Sequence, residues 1–507
     1  MISKRTAIRS AAIGGAVLLA LVAAAWASRD ALARLVRARL VRGLQESFAS
    51  DLQIGRLDVR VFPGLHLTGE NIVLHYQGRR DLPPLISIRK LTADDNVAAL
   101  LTGRIRQVRL EGLEIQAPPK SAGGKPFKKS RSGKIGGFVV DEIVADGTVL
   151  RTLPKDPGKA PLEWQIRRLR LDGAGPLSSM AFHAELENAK PPGIIRTTGR
   201  FGPWQADAPQ DTPVQGNYTF DHADLSVFRG ISGTLSSQGA YRGVLQRIDV
   251  QGHTDTPDFA LKASGNPVDL KTRFQAVVDG TDGDTLLRQV DGWFGNSAVE
   301  ARGSVAGTRG VKGKTVSLDV TADHGRLEDM LRLAVKGSPA MSGAVRFHAR
   351  LTIPPQARDV AERMKMEAEF RAASARFSSF DVQQKINRLS HGGKGRPRES
   401  PSDFAASDFA GRFQLANGVI DFQSLSFQVP GVSVALSGNY GLLDESLDFN
   451  GTATMQARLS QATTGVKSLL LKAVDPFFDR KGSGAVIPLH IGGTRQKPSF
   501  GLDFRRK

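Results

Sequence analysis

The chain has 507 residues, a formal net charge of +19 and 40% hydrophobic residues, with 54 glycines, 26 prolines and no cysteine. This apolar content can form several cores, and the scattered glycines and prolines favour many short strands over long helices. The absence of cysteine excludes disulfides and thiolate metal sites. The basic excess is compatible with anionic lipid headgroups, nucleic acid or a soluble surface.

The chain begins with a segment that predicts a membrane anchor. Three basic residues among the first nine precede an uncharged run, Ser10–Ser28. As a helix, this run would span roughly 28 Å, close to the hydrocarbon thickness of a bilayer. A cleavable signal peptide is the alternative, because Ala25–Ala27 fits the small-x-small cleavage pattern. Since the run is longer than a usual signal-peptide core, we expect residues 1–28 to form a cytoplasmic tip and an uncleaved anchor.

Residues 29–50 predict an amphipathic connecting helix. Leu32, Val36 and Leu40 share a broad face, and the arginines lie mainly elsewhere. Two interpretations remain open: the helix lies on lipid headgroups, or it packs against the first strands. Because arginines flank the anchor on both sides, the positive-inside rule does not decide its orientation.

From Leu52 onward the dominant period of the sequence is two. Apolar and polar residues alternate most clearly over four segments: 316–321, 345–353, 432–442 and 447–459. Such alternation is typical of half-buried strands in an antiparallel sheet. Asn417-Gly418 lies between two such strands and predicts a two-residue hairpin.

Helices and linkers are few. The spacing of apolar residues predicts four helices: Val97–Leu101, Asp284–Phe294, Arg326–Val335 and Thr463–Val474. Two segments that are poor in apolar residues predict disordered linkers, and the first of them is strongly basic. The resulting division is 1–28 anchor, 29–50 helix, 51–117 N-terminal β region, 118–137 basic linker, 138–390 central β region, 391–407 linker and 408–507 C-terminal β region.

Roughly twenty predicted strands each carry an apolar face that must be removed from water. Four short helices cannot cover that area, so two arrangements remain: two sheets packed face to face, or one long sheet that curls around a groove. The two arrangements differ at Leu436 and Phe449. These side chains would be closely packed in a sandwich and would face lipid or a hydrated trough in an open groove.

The two ends of the body resemble a known family. Leu52–Pro118 contains a Pro-Gly-x-x-Leu-x-Gly turn, a short helix that ends in Leu-Leu-x-Gly, and the pattern Ile-x-x-Val-x-Leu-x-Gly-x-x-Ile. The C-terminal part runs from Gly411-Arg-Phe-Gln-Leu through Gly438-Asn-Tyr-Gly-Leu to Ile487-Pro-Leu-His-Ile-Gly-Gly-Thr. The order of these motifs is similar to that of the AsmA-like envelope proteins, over about a third of the chain.

The resemblance implies a fold, a location and a role. The fold would be mainly β: an N-terminal transmembrane helix followed by an elongated, curled antiparallel β-sheet, a taco-like groove, with a few short helices. The body would lie in the periplasm of a bacterium, anchored in the inner membrane. It would take part in outer-membrane biogenesis by transferring phospholipid, with outer-membrane or periplasmic proteins as possible partners; a non-conducting structural or assembly factor is the alternative. The alternating C-terminal strands give candidate lipid-facing residues: Val432, Val434, Leu436, Leu447 and Phe449.

The sequence carries no catalytic, cofactor or metal-binding motif, so we expect a protein that is not an enzyme and needs no cofactor. Gly307–Thr315 resembles a phosphate-binding loop but has one residue too many between its outer glycines, which favours a basic hairpin turn. Asp279, Asp282 and Asp284 lack the spacing of a calcium loop and favour a polar turn. The basic linker has no DNA-reading motif, so we expect no nucleic-acid partner.

Overall fold

The structure is a computed structural model in which the described residues fall into several ranges. They are 33–34, 37–38, 41, 52–61, 64–75, 80, 83–96, 99, 102–117, 139–152, 162–174, 178–205, 208–355, 358–377, 406–455 and 486–501. The predicted anchor, the basic linker and the predicted helix Thr463–Val474 lie outside them. Within these ranges, no helix is long and apolar enough to cross a membrane.

The protein is mainly β, as predicted. The first twelve strands are β1 Leu52–Arg60, β2 Leu65–Leu74, β3 Ile86–Asp95, β4 Arg104–Ala117, β5 Val139–Thr152, β6 Leu162–Ala174, β7 Met180–Ala189, β8 Pro192–Phe201, β9 Pro213–Asp224, β10 Ile231–Ser232, β11 Thr234–Val244 and β12 Arg247–Leu261. The others are β13 Val268–Val278, β14 Thr285–Phe294, β15 Ser297–Gly307, β16 Lys314–Arg326, β17 Met341–Ser342, β18 Ala344–Ile353, β19 Lys365–Phe377, β20 Ala406–Ala416, β21 Val419–Val429, β22 Val432–Gly441, β23 Leu447–Met455, β24 Val486–Gly493 and β25 Pro498–Gly501.

The chain divides into two compact units. Unit 1 comprises residues 1–220, 239–250 and 278–283, and unit 2 comprises 221–238, 251–277 and 284–507. The first boundary therefore falls inside the predicted central region 138–390 and not at a predicted linker. Ala406 and Ser407, at the end of the second predicted linker, 391–407, belong to β20.

In unit 1, each strand from β1 to β8 pairs with the next one along the chain. All of these pairs are antiparallel except β4 and β5, which run parallel with Arg104 opposite Val139 and Ala117 opposite Thr152. The expectation of a purely antiparallel sheet is therefore wrong at this position.

The parallel pair explains why the chain needs a long connection between β4 and β5. A parallel partner cannot follow a two-residue turn, because the chain must first return along the whole strand. A strand of 14 residues such as β4 extends about 45 Å at about 3.3 Å per residue. In the sequence, residues 118–138, which include the predicted basic linker, lie between these two strands.

In unit 2, each strand from β14 to β24 pairs antiparallel with the next one along the chain, except that β16 pairs with β18 and the two-residue β17 pairs with β19. The hairpin predicted at Asn417-Gly418 is confirmed: Ala416 pairs with Val419, and both turn residues have positive φ, 53° and 76°. These angles are those of the type I′ turn that Asn-Gly favours. Gly307–Thr315 also connects two paired strands, β15 and β16, as predicted.

One predicted helix is confirmed and one is wrong. Helix α1 spans Leu327–Ala334, within the predicted Arg326–Val335, and a four-residue helix α2 follows at Val360–Arg363. Asp284–Phe294 is not a helix, because it contains strand β14. Its helical spacing of Leu287, Val290 and Phe294 comes from a β-bulge between Leu287 and Val290, which shifts the two-residue period by one position.

The segments before β1 and before β4 are described only in part. All five described residues of the predicted helix 29–50 are helical, and one of them, Val41, packs against the core of unit 1. This contact favours packing on the strands over a helix that lies only on lipid. In the predicted helix Val97–Leu101, only Ala99 is described, and it is helical.

Each unit has its own apolar cluster. In unit 2, aromatic rings pack over glycine residues. Phe422 of β21 and Phe449 of β23 both pair with Gly438 of β22. Because Gly438 has no side chain, the two rings meet across it with their centroids 5.5 Å apart. Phe370 lies over Gly411 in the same way, with its Cε1 2.6 Å from where a Cβ would stand.

Gly438→Ala tests whether the close approach of the β22 and β23 backbones at Gly438 holds the C-terminal strands together. An added Cβ would overlap the carbonyl oxygen of Asp448 and lie 2.6 Å from the Cα of Phe449, at a φ of +154°. We expect a loss of about 2–4 kcal/mol in the free energy of unfolding, measured by denaturant titration of the full chain in detergent. Gly501→Ala is the control, because no atom of the described residues lies within 4 Å of its added Cβ, and it should change the free energy by less than about 0.5 kcal/mol. Equal stability of the two variants would contradict the packing described here.

Candidate functional site

The strands of both units present two chemically different faces. On β16, Val316, Leu318 and Val320 alternate with polar residues. The paired strand β18 places apolar residues opposite them: Leu318 pairs with Leu351, and Val320 with Ala349. We call this side the apolar face of a unit, and the opposite side its charged face.

The charged face of unit 1 carries ion pairs between neighbouring strands. Arg104 contacts Asp141 at 2.8 Å, and Arg151 contacts Glu163 at 2.7 Å. The hydrogen bond and charge of Arg151 hold the pKa of Glu163 below its usual value. Such exposed pairs contribute little to stability. Because these side chains are partly or fully exposed, this face is in contact with water.

The charged face of unit 2 is similar. Arg273 contacts Asp291 at 2.9 Å, and Asp319 accepts hydrogen bonds from His348 and Arg350, both at 3.1 Å. The Gln289 amide and then Arg273 lower the pKa of Asp291. Because Arg273 and Asp291 mark the charged side of β13 and β14, the residues next to them in sequence lie on the apolar side.

The five predicted lipid-facing residues lie together on the apolar face of unit 2. Three are on β22 and two on β23, and the antiparallel register puts all five on one side. Val432, Val434, Leu436 and Phe449 are buried, with exposed fractions of 3%, 2%, 8% and 7%. Leu447 is half-buried and packs against the same cluster. Leu436 and Phe449 therefore have the close packing expected of a core position.

The apolar face is less covered on other strands of unit 2. Along β13, Leu270, Thr272 and Phe274 are half-buried, and each is flanked by exposed polar residues. Along β16, Val316, Leu318 and Val320 are also only half-buried. The sequence did not predict a binding surface on this stretch. Its alternation resembles that of β22, and only the burial distinguishes a packed apolar face from an accessible one.

In unit 1 the apolar face changes character along the strands. From β1 to β6 it forms a cluster of buried apolar side chains, among them Leu65 at 2% and Ala145 at 0% exposure. From β8 onward hydroxyl groups enter: Thr197 of β8 pairs with Ala184, which packs on that cluster, and Tyr241 of β11 contacts Thr197. These two hydroxyls were also missed by sequence analysis. The sequence did contain a signal for them. Thr197 and Tyr241 occupy positions at which the alternation of their strands would place apolar side chains.

Other polar candidates have ordinary structural partners. Asp279 accepts two hydrogen bonds from Thr281 in a turn, and Asp284 accepts from the backbone of Gly307 and the ammonium group of Lys314. The segment after Asp284 is a strand, so these aspartates do not cap a helix. No group of His, Asp or Glu among the residues described is arranged to hold a metal ion.

Comparison with known proteins assigns the chain to no family. No family model, no curated protein and no solved structure matches the chain.

Leu436→Asp tests how well the C-terminal part of the apolar face is covered. The carboxylate would be buried among apolar side chains without a partner, so we expect a loss of about 3–5 kcal/mol in the free energy of unfolding. Ser437→Asp is the control, because Ser437 is exposed on the opposite face of the same strand. Denaturant unfolding that shows no difference between the two variants would mean that Leu436 faces water or lipid instead.

Proposed function

We propose that the protein handles phospholipid in the cell envelope of a bacterium, holding acyl chains against the apolar face of its strands. The observation that supports this most strongly is the half-buried apolar stretch of β13 and β16 in unit 2. Apolar side chains left partly in contact with water favour an apolar ligand, since each square ångström removed from water contributes about 25 cal/mol. Acyl chains are flexible enough to follow such a surface.

The wider proposal places this activity in the envelope. The N-terminal segment would anchor the chain in the inner membrane, with the body in the periplasm as an elongated, curled groove. Phospholipid carried along the groove would serve outer-membrane biogenesis, with periplasmic or outer-membrane proteins as partners. The support is the apolar run Ser10–Ser28, the family resemblance of both ends of the body and the two-faced strands. The solvated charged face suits exposure to an aqueous compartment.

A non-conducting assembly factor is the second candidate. The close packing of Leu436 and Phe449, at 8% and 7% exposure, favours it because these residues leave little room for a ligand. In that case the apolar face would be a structural core, and outer-membrane proteins would be recognised elsewhere on the molecule.

Phe274→Asp separates the two candidates. Phe274 is half-buried on the apolar face of β13, and the new carboxylate keeps access to water, so the chain should fold with a loss of only about 1–2 kcal/mol. A charge on this face repels acyl chains, so the variant should lose most of the lipid that copurifies with the wild-type chain. Native mass spectrometry and lipid extraction measure that loss.

Gln275→Asp is the matched control, because Gln275 is exposed on the other face of β13. It should retain wild-type lipid and complement an envelope-permeability defect that Phe274→Asp does not complement. Wild-type protein without lipid, together with full complementation by Phe274→Asp, would favour the assembly factor and overturn the lipid proposal.

A further inference from the structure

The hydroxyl pair on the apolar face of unit 1 has a definite arrangement. Thr197 Oγ1 lies 2.9 Å from the backbone carbonyl of Asn217 and 2.6 Å from Tyr241 Oη. Thr197 stands in register with Ala184, which packs on the apolar cluster of unit 1. The pair therefore places polar atoms at the edge of an otherwise apolar surface.

The direction of the two hydrogen bonds is fixed by counting hydrogens. Thr197 has one hydroxyl hydrogen and donates it to the Asn217 carbonyl. Tyr241 must then donate its own hydrogen to Thr197 Oγ1. The phenol oxygen of Tyr241 keeps its lone pairs but has no hydrogen left to donate. It is thus an acceptor at the end of a polarised chain of hydrogen bonds.

The residues around Tyr241 fix the position of its hydroxyl group. Its hydroxyl lies over Gly216, 2.7 Å from where a Cβ of that residue would stand, so only glycine leaves room for the phenol there. The ring of Tyr218 is 6.5 Å away, centroid to centroid. Burial raises the pKa of Tyr241. A tyrosine is protonated at neutral pH even at its ordinary pKa, so the phenol keeps the hydrogen that it donates to Thr197.

We propose that Tyr241 Oη is a subsite for the hydrogen-bond donor of a phospholipid headgroup, such as an ammonium or a hydroxyl group. An acceptor without a hydrogen selects ligands that donate, and the half-buried apolar side chains of Ala184 and Leu186 on β7 suit the acyl chains of the same molecule. Ethanolamine and glycerol headgroups have N–H or O–H donors, whereas the choline headgroup has none. This inference rests on the proposed function and adds a headgroup preference to it.

The test compares headgroups on the full chain in detergent, incubated with vesicles of equal parts phosphatidylethanolamine, phosphatidylglycerol and phosphatidylcholine. Bound lipid is extracted and quantified by mass spectrometry. The wild-type chain should enrich the two donor headgroups over choline by about 3- to 10-fold, the range expected for one hydrogen bond. Tyr241→Phe keeps the ring but removes the acceptor, so it should bind the same total lipid with a ratio near that of the vesicles.

Three further variants separate this role from a structural one. Thr197→Val removes the acceptor of the Tyr241 hydrogen, so the phenol can donate as well as accept, and the preference should fall although the tyrosine remains. Thr197→Ser keeps the hydroxyl and should restore the preference. Tyr440→Phe is the control for loss of a buried phenol, because Tyr440 lies in unit 2 and its hydroxyl has no hydrogen-bond partner among the residues that the structure describes.

The two proposals fail in different ways. Lipid bound by the wild-type chain without headgroup preference, or a preference that Tyr241→Phe retains, would overturn the subsite and leave the lipid function standing. No bound lipid of any class would overturn the proposed function itself, and the subsite with it. A loss of preference in Tyr440→Phe as large as in Tyr241→Phe would show that the effect is not local to Tyr241.

Discussion

Side chains on a strand point alternately to opposite faces, and this constraint organises the whole structure. Strands such as β13 and β14 keep one face in water with charged residues, such as the Arg273–Asp291 pair, and turn an apolar face away from it. The charged face needs no further cover. The apolar face does. Buried clusters in both units and aromatic rings over glycine cover part of it. Stretches such as β13 stay half-buried.

Strands and tight turns could be predicted from the sequence where local chemistry decides them. The alternation of β16, β18 and β22 and the Asn417-Gly418 turn are local patterns, and they are confirmed. Strand β14 was mistaken for a helix because a bulge gave its apolar residues helical spacing, and a bulge depends on the neighbouring strand. The parallel pairing of β4 with β5 also depends on partners far along the chain, so alternation alone could not reveal it.

The candidate site was predicted only in its broad character. An apolar face on the C-terminal strands followed from the sequence, and the five chosen residues do share one side. Their burial could not be predicted, because β13 and β22 have the same alternation but different cover. The hydroxyl pair of Thr197 and Tyr241 joins residues that are 44 positions apart. Such a contact requires the pairing of whole strands, which residue patterns do not specify.

In the proposed function, lipid contacts the apolar face of the strands and not the charged face. This contact is tested most directly on β16, where three apolar residues (Val316, Leu318, Val320) alternate with three polar ones (Ser317, Asp319, Thr321). A photoreactive amino acid placed at each of these six positions in turn, in the full chain in membranes with labelled phospholipid, should crosslink lipid with a period of two. We expect crosslinks at the three apolar positions and at none of the polar ones. Equal crosslinking at both sets of positions, or none at any of them, would contradict the proposed lipid contact.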